Sequence, residues 1–206
     1  MQEKKTNRQI QADQTRERIL REAKRLIEEK PISEIRIQDI TKACGVAIGT
    51  FYHYFDSKER LFAVIALESD TPQLWDIRHA SHLPLMERLR SFLSLRAKTV
   101  EHEGTALTQN LLQFRMTSRY REIRDEMFGH EHFEYALCAT ILQDGIANRE
   151  LKEDLPVDFY AQMIVYTFHG IVANQCLYDE PLTISGWIEE FLDYLQNIAL
   201  KPYLIK

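Results

Sequence analysis

Between Thr15 and Glu29 the apolar positions fall at Ile19, Leu20, Ala23, Leu26 and Ile27, at spacings of three and four that predict a helix with one buried stripe. Lys30-Pro31 ends it, because the residue before a proline is pushed out of helical backbone. A shorter segment from Ile37 to Cys44 predicts a second helix that buries Ile37, Ile40 and Ala43. Gly45 follows as a left-handed stop and Val46 plugs the corner. The third segment, Ile48 to Phe55, sets Phe51 and Phe55 four apart on one side, while Thr50, Tyr52 and His53 point elsewhere. Asp56-Ser57 breaks it. Ser57 then caps a fourth helix that opens Lys58-Glu59-Arg60 and buries Leu61, Phe62, Ile65 and Ala66.

The stretch from Ser69 to Pro84, with Thr71-Pro72 and Leu83-Pro84, reads as a seam, dividing the chain into residues 1–66 and 67–206. Beyond it the periodicity predicts helices at Leu85 to His102, Thr105 to Met116, Arg119 to Asn148 with a weak point at Gly129, Val157 to Tyr178, and Ile184 to Leu200. The Val157 helix is apolar nearly all round, and the last helix has an unusually wide apolar face through Ile184, Trp187, Ile188, Phe191, Leu192, Leu195 and Ile198. Two such helices at the end of a chain call for a partner.

Composition fits this picture. Seven glycines and six prolines in 206 residues, with 45% hydrophobic content, favour an all-α fold over a turn-rich β architecture. No run approaches the roughly 18 apolar residues of a membrane span, and MQEKKTNRQI lacks a signal peptide's apolar core, so no membrane association and a cytoplasmic location are expected. Cys44, Cys138 and Cys176 are odd in number and far apart, without CxxC spacing, which indicates neither a disulfide framework nor a zinc knuckle. The net charge of −5 conceals a division: residues 1–66 hold 13 Lys plus Arg against 10 Asp plus Glu, net +3, and residues 67–206 hold 13 against 21, net −8.

A short helix, a glycine turn and a second short helix, braced by a first, is the helix-turn-helix arrangement, whose second helix enters the major groove. Ile40, Gly45, Val46 and Phe51 stand where it needs an inner apolar residue, a turn, a plug and an anchor. The run IRIQDITKACGVAIGTFYHYFDSKERLF, with its G-V-x-x-G-T-x-Y-x-Y-F-x-x-K-x-x-L pattern, resembles the TetR family of bacterial repressors over about Ile19 to Phe62. The resemblance implies a three-helix helix-turn-helix domain, then a helical domain that binds a small-molecule effector and forms a homodimer on a palindromic DNA operator. Lys58, in the first turn of its helix, would meet phosphate, and Tyr52 a thymine methyl, sugar or phosphate, with Thr50 and His53 reaching backbone or base edges. Gln38 stands at a position that reads bases in relatives and suits adenine. Tyr54 keeps two readings, phosphate contact and packing against the first helix. Four positions depart from the family pattern. Ala47 replaces a common capping Ser, which leaves the helix start to water or to DNA, and Ile48 replaces a common polar residue, with a thymine methyl contact and simple exposure both open; both stand in the candidate DNA-binding set, while Thr41 replaces a usual Ala and Lys30-Pro31 a usual Gly. For Lys4, Lys5 and Arg8 a backbone-tracking arm and a disordered terminus are both open.

The candidate dimer interface comprises Phe159, Met163, Ile171, Trp187, Phe191 and Leu195, from the two last apolar helices. Candidate effector contacts are the polar or aromatic residues that interrupt apolar helices: His102, Gln109, Arg115, Tyr135, Cys138, Tyr166, His169 and Asn174. His130-Glu131-His132 is not read as a metal site, since residues two apart face different sides of a helix, and no cofactor is implied. No nucleophile–base pair or Gly-rich phosphate loop supports an enzyme using the helical pocket. That reading, and a helix-turn-helix used only to dock protein, remain the alternatives.

Overall fold

The computed structural model describes residues 6–67, 72–128, 133–178 and 183–205. These form α1 (Asn7–Glu29), α2 (Ile37–Cys44), α3 (Ile48–Tyr54), α4 (Lys58–Leu67), α5 (Pro72–His79), α6 (Leu85–Glu103), α7 (Thr105–Arg115), α8 (Ser118–Phe128), α9 (Phe133–Ala147), α10 (Val157–Leu177) and α11 (Ile184–Tyr194). The fold is all-α; an isolated antiparallel bridge, Leu151 to Leu204, is the extended pairing among the described residues. The His130-Glu131-His132 run, Gly129, Lys4 and Lys5 lie outside those residues. The chain separates into two compact units, Met1–Glu68 with Ala106–Met127, and Ser69–Thr105 with Phe128–Lys206.

In the first unit the expected stripe is buried: Ile19, Leu20, Ala23, Leu26 and Ile27 face inward from α1. Helix α1 starts eight residues before the apolar pattern does, which places Arg8 in helix. Thr6 makes that possible, since its Oγ1 accepts from the Gln9 amide while Gln9 Oε1 accepts from the Thr6 amide, a reciprocal cap. Helix α2 buries Ile40, Thr41 and Cys44, and α4 buries Leu61, Phe62, Ile65 and Ala66. Ala43 is exposed and Ile37 only half-buried, because the inward face of α2 runs through Ile40 and Cys44, four apart. Helices α7 and α8 complete this core with Leu107, Leu111, Phe114, Tyr120 and Ile123, although they are encoded beyond the seam.

In the second unit α9 packs on α10 and α6, α11 on α6 and α10, and α5 on α6 and α9. Its core is drawn from Leu89, Phe92 and Leu93, Leu137, Ile141 and Leu142, Ile164 and Phe168, and Ile188 and Leu192. Arg88, 1% exposed, is fully engaged: it pairs with Asp144 at 2.7 Å and donates to the carbonyls of Ile77 and Arg78 at the end of α5. Arg96 pairs with Glu134 at 2.8 Å and lies over the Phe168 ring. The last expected helix does not run regularly to Leu200. It widens into a π turn over Leu195–Ala199, closed by Leu200 N–H to Leu195 C=O at 2.8 Å, and Tyr160 Oη donates to the Ala199 carbonyl that the change of register exposes. The chain end is pinned to the turn before α10 by Lys152 N–H to Tyr203 C=O and Ile205 N–H to Glu150 C=O.

Candidate nucleic-acid interface

The geometry of α2 and α3 is set by one backbone feature. Gly45 closes α2 at φ 65°, ψ 36°, the left-handed region that a side chain would strain, and Val46 N–H returns to Thr41 C=O at 3.0 Å. Val46, half-buried, packs against the core as the expected plug. Helix α3 begins two residues later with Ala47 as its N-cap. Ala47 offers no side-chain hydrogen bond, as the missing hydroxyl led one to expect.

Helix α3 has two unlike sides. Phe51 is 0% exposed and Phe55 2%, their rings 5.9 Å apart, with the Arg16 guanidinium 5.6 Å from the Phe55 ring. Across the helix, Ile48 is 46% and Tyr52 51% exposed, one turn apart. The Tyr52 ring meets Phe51 edge to face at 5.5 Å, so the exposed ring is held by the buried one. His53 and Ala47 are exposed and Thr50 is half-buried. Tyr54 is half-buried and packs against the core, with its ring edge-on to His53 at 5.1 Å. Of its two readings, the structure favours packing.

Lys58 opens α4, whose first turn is capped by Ser57, with Arg60 N–H to Ser57 Oγ at 3.1 Å. Its ammonium donates to the Ile35 carbonyl at 3.0 Å, which anchors the charge and leaves two of its three N–H donors. Gln38 is exposed in the first turn of α2. That turn is tied to the end of α1: Lys30 Nζ lies 2.8 Å from Asp39 Oδ2, which also accepts the Arg36 amide at 3.0 Å. The hydrogen bond from Lys30, then that from Arg36, hold the Asp39 carboxyl below its ordinary pKa. Thus Lys30, which the sequence marks as a helix stop and a departure from the family pattern, joins two helices.

Residues 19–65 match the model for bacterial regulatory proteins of the tetR family, a span that contains this whole arrangement. Those residues are similar to the tetR-family domain, and the remainder of the chain lies outside the match. Over 62 residues the chain is 39% identical to the HTH-type transcriptional regulator UidR of Escherichia coli K12, 30% of this chain and 32% of UidR. Over 47 residues it is 38% identical to EthR of Mycobacterium tuberculosis, 23% of this chain and 22% of EthR. The matched region thus spans about a third of the length of UidR and less of EthR. The fold of the longer chain is shared with the transcriptional regulator FadR of Bacillus subtilis, solved with stearoyl-CoA, at TM-score 0.71 and 24% identity over 86% of this chain and 96% of that one. It is shared too with NalD of Pseudomonas aeruginosa, a repressor of a multidrug efflux pump, at TM-score 0.68 and 16% identity over 94% and 98%.

The expected effector contacts are divided between the two units. Gln109 and Arg115 belong to the first unit, where Arg115 donates to the Ala66 carbonyl at the end of α4. His102, Tyr166 and Asn174 are exposed on helices of the second unit. Tyr135 donates to Asp158 Oδ1 at 2.8 Å, and His169 is 2.8 Å from Glu134. Cys138 is fully buried, and burial pushes its thiol well above the ordinary range. Single residues interrupting an apolar pattern are here mostly surface or tied groups, because a period says which face a residue is on and not which cavity it meets.

The expected dimer residues fare differently. Phe159, Met163 and Trp187 are exposed, and Ile171 and Phe191 half-buried. Leu195, 2% exposed, is taken up by its own unit's core where the helix widens, so it cannot reach a partner. Tyr166 and Tyr194 are exposed large side chains that sequence reasoning leaves out of this face, and Ile198, part of the last helix's expected apolar face, is exposed as well. Gly170 stands on α10 with open space where a Cβ would be. Phe159, Met163, Tyr166 and Gly170 follow one another at spacings of four, three and four, the signal that could have grouped them. No described helix is long and apolar enough to cross a membrane.

Proposed function

We propose that this chain is a homodimeric repressor that binds a palindromic operator through α3 and is released by a small-molecule effector bound in its second unit. The observation that carries the DNA-binding part is the division of α3 between buried Phe51 and exposed Ile48 and Tyr52. A seven-residue helix so seated offers a rigid outer face sized for the major groove. Gln38, Ala47, Ile48, Thr50, Tyr52 and His53 supply groove and backbone contacts, and Lys58 a phosphate contact. Residues 1–66 thus hold the reading head, with its surplus of basic side chains.

The homodimer is supported by the exposed apolar side chains of α10 and α11, since a soluble chain rarely leaves so many large ones on adjoining helices without a partner. Two-fold symmetry supplies two reading helices about 34 Å apart, and so an affinity that one short helix lacks. Residues 67–206 then carry dimerisation and effector binding. FadR was solved with stearoyl-CoA, which makes a long acyl-CoA a reasonable first effector to test. An effector that favours one spacing of the heads changes occupancy several-fold with about 1–3 kcal/mol of coupling.

The test is gel-shift and footprinting on DNA upstream of the chain's own gene and its neighbours, over a salt series. Wild-type protein should protect a palindrome, and Tyr52→Ala or Lys58→Ala should lose that protection while remaining folded. Absence of sequence-specific, salt-sensitive binding in the presence and absence of cell extract would refute the proposal.

A further inference from the structure

We infer that the base pairs read by α3 are A·T pairs, with a thymine methyl held against Ile48; this rests on α3 being the groove-entering helix. The sequence of α3, IGTFYHY, contains no lysine or arginine, the side chains that most often read guanine through O6 and N7. At its N-terminal end, where a reading helix meets base edges, the exposed surface is largely hydrocarbon. Ala47 is an exposed N-cap, Ile48 is nearly half exposed, and Gly49 has open space where a Cβ would stand. Tyr52 extends the same face one turn on, with its ring position fixed by Phe51.

The apolar feature that distinguishes base pairs in the major groove is the C5 methyl of thymine. An isoleucine pressed instead on a cytosine amino group or a guanine carbonyl would strip water from a polar atom and give nothing back. The polar members of this face do not reverse the preference. Thr50 is half-buried, and His53 lies in the last turn, away from the end that enters the groove. Gln38, exposed on α2, matches the N6 and N7 pattern of adenine. The basic residues flanking α3 in the chain, Arg36 at the N-cap of α2, Lys42 on α2, and Lys58 and Arg60 on α4, belong to other elements, and in this proposal Arg36, Lys42 and Lys58 meet phosphate.

The experiment is selection of duplexes from a random-sequence pool by the full-length protein at fixed salt, repeated with Ile48→Ala. The positions whose preference changes in that variant are those under Ile48, and they should be A·T in the wild-type selection. Each thymine there is then replaced by deoxyuridine, which removes only the methyl. Wild-type affinity should fall roughly fourfold at one position, the worth of one buried methyl-sized group, and Ile48→Ala should bind both duplexes equally. Arg36→Ala should weaken all duplexes alike and flatten the salt dependence. Selection of G·C pairs at the Ile48-dependent positions, indifference to every thymine methyl, or loss of preference at those positions in Arg36→Ala would overturn the assignment and leave the regulator reading intact. Failure to enrich any sequence would overturn both.

Discussion

Replacing Phe51 by Ala tests whether α3 is held by its inward ring. The side chain is wholly buried, meets Tyr52 edge to face at 5.5 Å and Phe55 at 5.9 Å, and belongs to the same core cluster as Ile19, Ile40 and Phe62. Removing a buried phenyl ring costs about 3–5 kcal/mol, from lost burial plus the cavity left behind. Most domains are stable by only about 5–15 kcal/mol, so the loss would leave the first unit near its unfolding limit. In a unit of this size each kcal/mol moves the midpoint by about 4–8 °C, so the transition should fall by about 12 °C or more. The control is its neighbour. Tyr52→Ala removes a half-exposed ring and one aromatic contact, worth about 0.5–1.5 kcal/mol. Thermal melts of wild type, Phe51→Ala, Phe51→Leu and Tyr52→Ala, followed by far-ultraviolet circular dichroism at one protein concentration, separate the two residues. Phe51→Ala should melt far below Tyr52→Ala, with Phe51→Leu between, while Tyr52→Ala alone keeps the fold and loses DNA. Equal midpoints for Phe51→Ala and Tyr52→Ala would refute the claim that Phe51 seats the helix.

Gly49→Ala should fold at least as well as wild type, gaining up to about 1 kcal/mol of helix propensity because the added Cβ meets nothing in the protein; its operator affinity should nevertheless fall, since that Cβ stands between helix and groove, and paired melts and gel shifts check both. Asp39→Asn should reveal a pH-dependent tie between α1 and α2. The folded pKa of Asp39 lies below its ordinary 3.8, so its stabilising effect is present above that value and is lost as pH falls through the folded pKa. The gap in melting temperature between wild type and Asp39→Asn should therefore be constant from about pH 8 to 5 and close below about pH 4. Met163→Glu places a charge on the exposed apolar face of α10; sedimentation should show monomer, and operator affinity should drop by about a hundredfold or more as the second half-site is lost. Cys138 should resist thiol reagents in the native protein and react only on unfolding, because it is buried and its thiol is held protonated.

The parts of the fold that were legible in advance rest on local periodicity and on single residues with special backbone needs. The stripe of α1, the left-handed stop at Gly45 and the burial of Phe51 and Phe55 are of this kind. Helix α5 is hidden in the sequence because Thr71-Pro72 looks like a seam; Pro72 instead occupies the first helical position, where its missing N–H costs nothing. The early start of α1 lacked an apolar stripe, yet Thr6 and Gln9 carried a capping signature three residues apart. The exposed face of α3 was legible residue by residue, whereas the Lys58 to Ile35 and Lys30 to Asp39 contacts join positions 23 and 9 apart. Nothing local specifies such pairings. The expected effector residues are scattered for a related reason: a binding site is made by several helices at once, and no single helix's pattern encodes it.

The division at residue 66 expected from the chain's charge and its prolines also needs a physical amendment. Asn110 Nδ2 donates to the Ile27 carbonyl at 2.7 Å, and Arg115 to that of Ala66. Each accepting carbonyl lies in the last turn of a helix, α1 or α4, where backbone acceptors lack intrahelical partners. Helix α7 thus closes the ends of two helices of the reading head, and Leu107, Leu111 and Phe114 seal the core between those bonds. The chain enters α7 through Gly104, at φ 83°, directly from the end of α6 in the other unit. A first unit cut at residue 66 would therefore lose the helix that closes the ends of α1 and α4.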